Sequence, residues 1–174
     1  MEFQWREMFW YQFGAAIDVL QDAIVNCPDN LWRIRVWDDP NPALPKEYSE
    51  FWNVAYHTLF WLDYYLSETP ETFAPPAPFT MSEANADAVM PDQIYTKEQL
   101  LTYLDYCRNK TRTRIQTTPD PMVPQRMRPN WIEMSEAELW LYTMRHVMEH
   151  AAQLELILGQ NIGYGGKWVS RTKS

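Results

Sequence analysis

Proline decides where this chain can be helical. Its ring fixes φ, removes an amide donor and clashes with the preceding turn, so an interior proline breaks or kinks a helix. The 13 prolines are clustered: Pro28 stands alone, Pro40, Pro42 and Pro45 fall within 31–46, five lie between 68 and 95, and Pro119, Pro121, Pro124 and Pro129 complete the set. The long stretches between them carry apolar residues at helical spacing.

The first predicted helix runs from about 3 to 26, with Phe9, Phe13, Ala16, Ile17, Leu20 and Ile24 on one face, and Pro28 with Asp29-Asn30 stops it. The second is expected from about 45 to 67, with Pro45 in its first turn and Phe51, Val54, Ala55, Leu59, Leu62 and Leu66 facing inward. Between them 31–46 is a connection whose 31–37 portion can form a short extended piece. The third helix opens on a capping box, Thr96-Lys97-Glu98-Gln99, turns Leu100, Leu104, Cys107, Thr111 and Ile115 inward, and ends at Pro119. The stretch 119–134 reads as non-helical, and no strand signal is strong. A second capping box, Ser135-Glu136-Ala137-Glu138, starts the fourth helix, which Gly159 is expected to stop. The tail from about 160 reads as irregular, with Trp168 placed to pin it.

Four amphipathic helices about 30 Å long can bury one shared core only by packing as a bundle. The expectation is therefore an all-α, single-domain four-helix bundle over 1–174. The connection 68–95 is long enough to be a crossover that lets helices 2 and 3 point the same way, or a functional lid.

Composition is globular, with 46% apolar and 15% aromatic residues. A net charge of −8 argues against nucleic acid and anionic membrane surfaces, both of which call for basic patches. No apolar stretch is long enough to span a bilayer, and residues 1–7 lack the pattern of a signal peptide. The two cysteines, Cys27 and Cys107, form no CxxC pair. A cytoplasmic protein with reduced thiols is the expectation. Cys107 lies on an apolar stripe and reads as core, not nucleophile. Arg108, Lys110, Arg112 and Arg114 read as a solvated helix end that complements the dipole, with an anionic substrate as the other use.

The three histidines of the chain, His57, His146 and His150, all fall in mid-helix positions. His146 and His150 are one turn apart and can point at one ion. If the second and fourth helices are neighbours, His57 meets them at similar depth. Neutral imidazole suits Zn, Ni, Fe or Cu, and three protein ligands leave a coordination position open, as catalytic sites do. Against this stands the plainer possibility that each ring is a hydrogen-bonded core or surface residue, since an HxxxH pair alone is a weak motif. The Glu-x-x-His pattern of di-iron bundles and the HExxH motif are absent. Asn53 and Trp61, one turn either side of His57, and Gln153, one turn after His150, are candidates for the pocket wall or for orienting a ligand. Glu149 points away from His150 and reads as solvated.

His57 in NVAYHTLFWLDYYL and the segment RHVMEHAAQLELILG resemble the DinB-like family, also called DinB/YfiT-like metalloenzymes. Members place one histidine on helix 2, an HxxxH pair on the last bundle helix, and often a Gln three residues later; His57, His146, His150 and Gln153 stand in those positions. The resemblance implies a bundle with a three-histidine divalent metal site, commonly zinc or nickel with iron or manganese as alternatives, and often a homodimer. Some relatives are S-transferases or isomerases that use low-molecular-weight thiols. The expected function is accordingly a metal-dependent enzyme that activates a thiol for a small-molecule substrate. The alternatives are a hydrolase in which the ion lowers the pKa of a water, and a non-catalytic metal- or small-ligand-binding or stress-related module. No catalytic base is assigned.

Overall fold

The computed structural model describes residues 5–38, 41, 45–84, 90–127 and 132–173, with side chains except over 124–133. The expected helix start at Phe3, residues 85–89 of the long connection and Pro129 lie outside the described residues. Four helices dominate: α1 (Trp5–Asn26), α2 (Phe51–Tyr65), α3 (Lys97–Thr117) and α4 (Glu136–Ile162). The apolar positions predicted from spacing face a shared core, in which Phe13, Ile17, Leu20, Ile24, Leu59, Leu62, Leu104, Ile115 and Leu154 are fully buried. Each such side chain contributes about 1.5–3 kcal/mol relative to exposure.

Side-chain contacts fix the helix directions. Tyr56 meets Tyr103, the Cys107 thiol donates to the Leu59 carbonyl, and Lys110 donates to the Asp63 carboxylate. Numbers rise together along both chains, so α2 and α3 run the same way. Trp5 and Phe9 pack on Trp140, while Asn26 donates to the Tyr164 hydroxyl beyond the end of α4, so α1 and α4 also run together. Arg6 donates to the Gln116 and Thr118 carbonyls, and Lys97 donates to the Cys27 carbonyl, which sets α1 against α3. Tyr65 faces Tyr142 while His57 faces His146 and His150. Helices α2 and α4 are therefore antiparallel neighbours.

Several boundaries differ from expectation. Helix α2 begins at Phe51 rather than near 45, because Lys46–Ser49 is a 3-10 turn and Glu50 is extended (φ −69°, ψ 147°). A tertiary pairing holds Glu50 there: it bridges Arg35, takes two bonds from the Arg33 guanidinium and accepts the Trp52 indole N–H at 2.6 Å. The non-helical 119–134 stretch contains a two-stranded antiparallel hairpin, β1 (Pro124–Met127) with β2 (Ile132–Ser135). Pro124 is the first strand residue, a position that needs no ladder donor. Helix α4 passes through Gly159 and stops at Gly163, whose φ of +69° is the left-handed stop that glycine accepts. At its start the Ser135 hydroxyl accepts the Glu138 amide, one half of the predicted capping box, whereas the Thr96/Gln99 box of α3 is complete.

Of the basic residues of α3, Arg112 is exposed as expected, but Arg108, Lys110 and Arg114 are not solvated. Arg108 bonds Asp18 and Gln21 of α1, Lys110 bonds buried Asp63 of α2, Arg114 grips buried Glu136 at the start of α4, and Arg112 lies over Trp10. Their spacing lets the four reach three different helices, Arg108 and Arg112 both meeting α1. Trp168 does not pin the tail, since it is 87% exposed. Thr172 does so instead: its amide donates to the Tyr11 carbonyl, and its methyl fills the space beside Gly14, where a Cβ would lie 2.4 Å away. Among the described residues no helix is long and apolar enough to cross a membrane.

Candidate metal centre

The antiparallel pairing of α2 and α4 brings His57 against the His146/His150 pair. Their ring centroids are 5.2 Å (His57–His146), 4.8 Å (His57–His150) and 4.6 Å (His146–His150) apart. The Nε2 of His146 lies 3.2 Å from that of His57 and 3.1 Å from that of His150. Two nitrogens on one ion, each at about 2.0–2.1 Å, can be no more than about 4.2 Å apart, so both separations are compatible with a shared ion. The three histidines offer ligand atoms that all lie within 4.8 Å of one another.

Hydrogen bonding at the far edges of the rings sets what faces inward. His150 Nδ1 lies 2.8 Å from Gln153 Oε1, and His57 Nδ1 lies 2.5 Å from Glu83 Oε2. Both partners are acceptors, so both Nδ1 atoms carry the proton and both Nε2 atoms turn a lone pair inward. His146 Nδ1 is buried with no partner among the described residues. A proton on His146 Nε2 serves at most one of its two neighbours; without it, three lone-pair nitrogens lie within 4.8 Å of one another. That donor set fits a cation, and the three-histidine group can hold a metal ion.

Electrostatics agree with this. Burial, then His150 and His57, push the His146 imidazole down to about 3. Burial and then His57 lower His150 as well, opposed by the Gln153 bond and by Glu149 and Glu83. Rings held neutral are the form that binds metal.

The other predicted residues divide. Gln153 orients His150, as just described. Trp61 meets the His57 ring edge-on at 6.3 Å and donates its indole N–H to Glu83 Oε2 at 2.8 Å. Asn53 is buried, but its amide donates to the Met90 sulfur at 3.8 Å and no hydrogen bond links it to the rings. Glu149 is exposed.

Residue-by-residue reading missed Glu83, because it lies in the long connection, where no helical spacing relates it to the histidines. It also gave Tyr65 and Tyr142 no role at the site. Trp61, Tyr65 and Tyr142 form a row with ring centroids 5.3 Å apart at each step, and the two hydroxyls lie 3.4 Å apart. Tyr142 stands one turn before His146 as Trp61 stands one turn after His57. In an antiparallel pair that symmetry puts them on the same side, a signal the sequence did contain. Both cysteines are free and buried, and burial pushes Cys27 up to about 12 and Cys107 well above the thiol range. No family model, curated protein or solved structure matches the chain.

Proposed function

We propose that the protein is a DinB-like four-helix bundle, with the 68–95 connection as its crossover, that holds one divalent ion on His57, His146 and His150 and activates a small-molecule thiol for S-transfer. The observation that carries this reading is the convergence of three imidazole nitrogens, two of them fixed as acceptors by Glu83 and Gln153. The crossover is supported by the common direction of α2 and α3.

An ion bound there supplies a Lewis acid that keeps a thiol in its nucleophilic thiolate form at neutral pH. The protein's residues contribute binding and orientation. The histidines act as ligands, none as a general base. Half-buried Trp61 and Tyr142, on either side of buried Tyr65, offer apolar ring surface suited to a small organic substrate. Because Cys27 and Cys107 are buried and their thiols raised, the reacting thiol must arrive as a separate molecule. All-imidazole ligation suits zinc or nickel before iron or manganese. Buried free cysteines accord with a cytoplasmic location, and the family resemblance with a homodimer.

Elemental analysis of purified wild type and His150→Ala tests the site. Wild type should carry about one equivalent of metal and the variant should lose it while staying helical; equal content refutes the assignment. Conjugation of chlorodinitrobenzene with a panel of thiols then tests the transferase reading. Turnover of esters or amides instead would mark a hydrolase, and metal uptake without turnover would mark a binding module.

A further inference from the structure

Glu83 lies outside the four helices, yet its side chain is only 8% exposed. It follows a firmly anchored stretch of the connection. Phe79 and Met81 are buried, Phe79 stacks on Tyr103 at 4.7 Å, the Tyr56 hydroxyl donates to the Met81 carbonyl, and the Thr80 and Met81 amides both donate to the Tyr95 hydroxyl at 3.1 Å. The carboxylate two residues later is therefore delivered to a fixed place.

One oxygen of that carboxylate does two things. Oε2 accepts the Trp61 indole N–H, which can only donate, at 2.8 Å, and it meets His57 Nδ1 at 2.5 Å. The indole marks Oε2 as an acceptor, so the proton of the second bond sits on His57 Nδ1. The opposite nitrogen, Nε2, is then unprotonated and faces His146. Glu83 is behind the ring, not among the ligating atoms.

We propose that Glu83 is a positioning residue for the metal centre: anchored by the Phe79–Met81 segment, it fixes the tautomer and orientation of His57, so that metal affinity depends on docking of a segment that contributes no ligand itself. This rests on the three-histidine metal reading. Carboxylates behind ligating histidines act in this way generally, and their loss typically costs 10–100-fold in metal affinity.

The test is cobalt(II) titration of wild type, Glu83→Gln and Glu83→Asp, followed by d–d absorption, with the tautomer of His57 read from imidazole ¹⁵N shifts of the metal-free proteins. Wild type should show His57 protonated at Nδ1. Glu83→Gln should bind cobalt about 10–100-fold more weakly and lose the single tautomer, with thermal unfolding of the metal-free protein little changed. Glu83→Asp, which keeps the charge but shortens the reach, should fall between. Binding by Glu83→Gln within about twofold of wild type, or an unchanged His57 tautomer, overturns the proposal while leaving the metal site standing. If Glu83→Gln does not fold, wild-type affinity in Glu83→Asp together with an unchanged tautomer overturns it equally. Failure of wild type to take up cobalt overturns the metal reading itself, and this role with it.

Discussion

Acid should destabilise the metal-free protein through His146. Its imidazole is held at about 3, against an ordinary value of 6.5, chiefly by burial and then by His150 and His57. The unfolded chain takes up this proton as the pH falls through 6.5, but the folded protein refuses it until about 3. The unfolded state therefore binds more protons within that window, and stability falls with pH across it. Each pH unit is worth about 1.4 kcal/mol, so going from about pH 7 to about pH 4.5 removes about 2.7 kcal/mol through this ring alone. That is a large part of a typical total of about 5–15 kcal/mol. His150, lowered for the same reason, adds in the same direction. The assay is urea unfolding of EDTA-treated protein followed by tryptophan fluorescence, for wild type and His146→Asn at both pH values. Carboxylates elsewhere titrate in both proteins and cancel in the difference. Wild type should lose about 2–3 kcal/mol more than the variant between the two pH values. Equal losses would refute the claim that burial, aided by the two neighbouring imidazoles, holds this ring neutral.

Three further outcomes are expected. Arg114→Ala leaves Glu136, 1% exposed, as an unpaired buried charge and should cost about 3–5 kcal/mol in chemical denaturation. Gly14→Ala gains about 1 kcal/mol of helix propensity but drives a Cβ into Thr172; the tail should detach, seen as new limited-proteolysis cuts between 163 and 173 with the helices intact. Cys107, fully enclosed and with its thiol raised by burial, should ignore Ellman's reagent in the native protein and react stoichiometrically in denaturant.

What the sequence showed and what it hid follow from the range of the interactions. Helix positions were legible because they depend on spacing along one stretch of chain: the Thr96 box and the stripe from Leu100 to Ile115 are local facts. Boundaries set by partners far along the chain were not. Glu50 ends the 3-10 turn because Arg33, Arg35 and Trp52 meet it; as the residue before α2 it is extended like any N-cap, but glutamate is not a residue whose side chain marks a cap. Gly159 looked like a stop but lies mid-helix, since helix-interior glycine costs only about 1 kcal/mol and Gly163 supplies the left-handed residue. The histidines were legible because they share two helices and a common depth. Glu83 was not, because its burial depends on Phe79 and Met81 docking against Tyr56, Tyr95 and Tyr103, which is a property of the folded connection.

The three histidines that can hold an ion are split between α2 and α4, and this has a topological effect. His57 and His146 are 89 residues apart. An ion joining them closes a ring of chain comparable to that of a long-range disulfide, for which the chain-entropy model gives about 4–5 kcal/mol. Unlike a disulfide, this staple needs no oxidising compartment and comes off with a chelator. How long the molecule resists unfolding would then follow the free-ion concentration around it, whatever reaction the site performs.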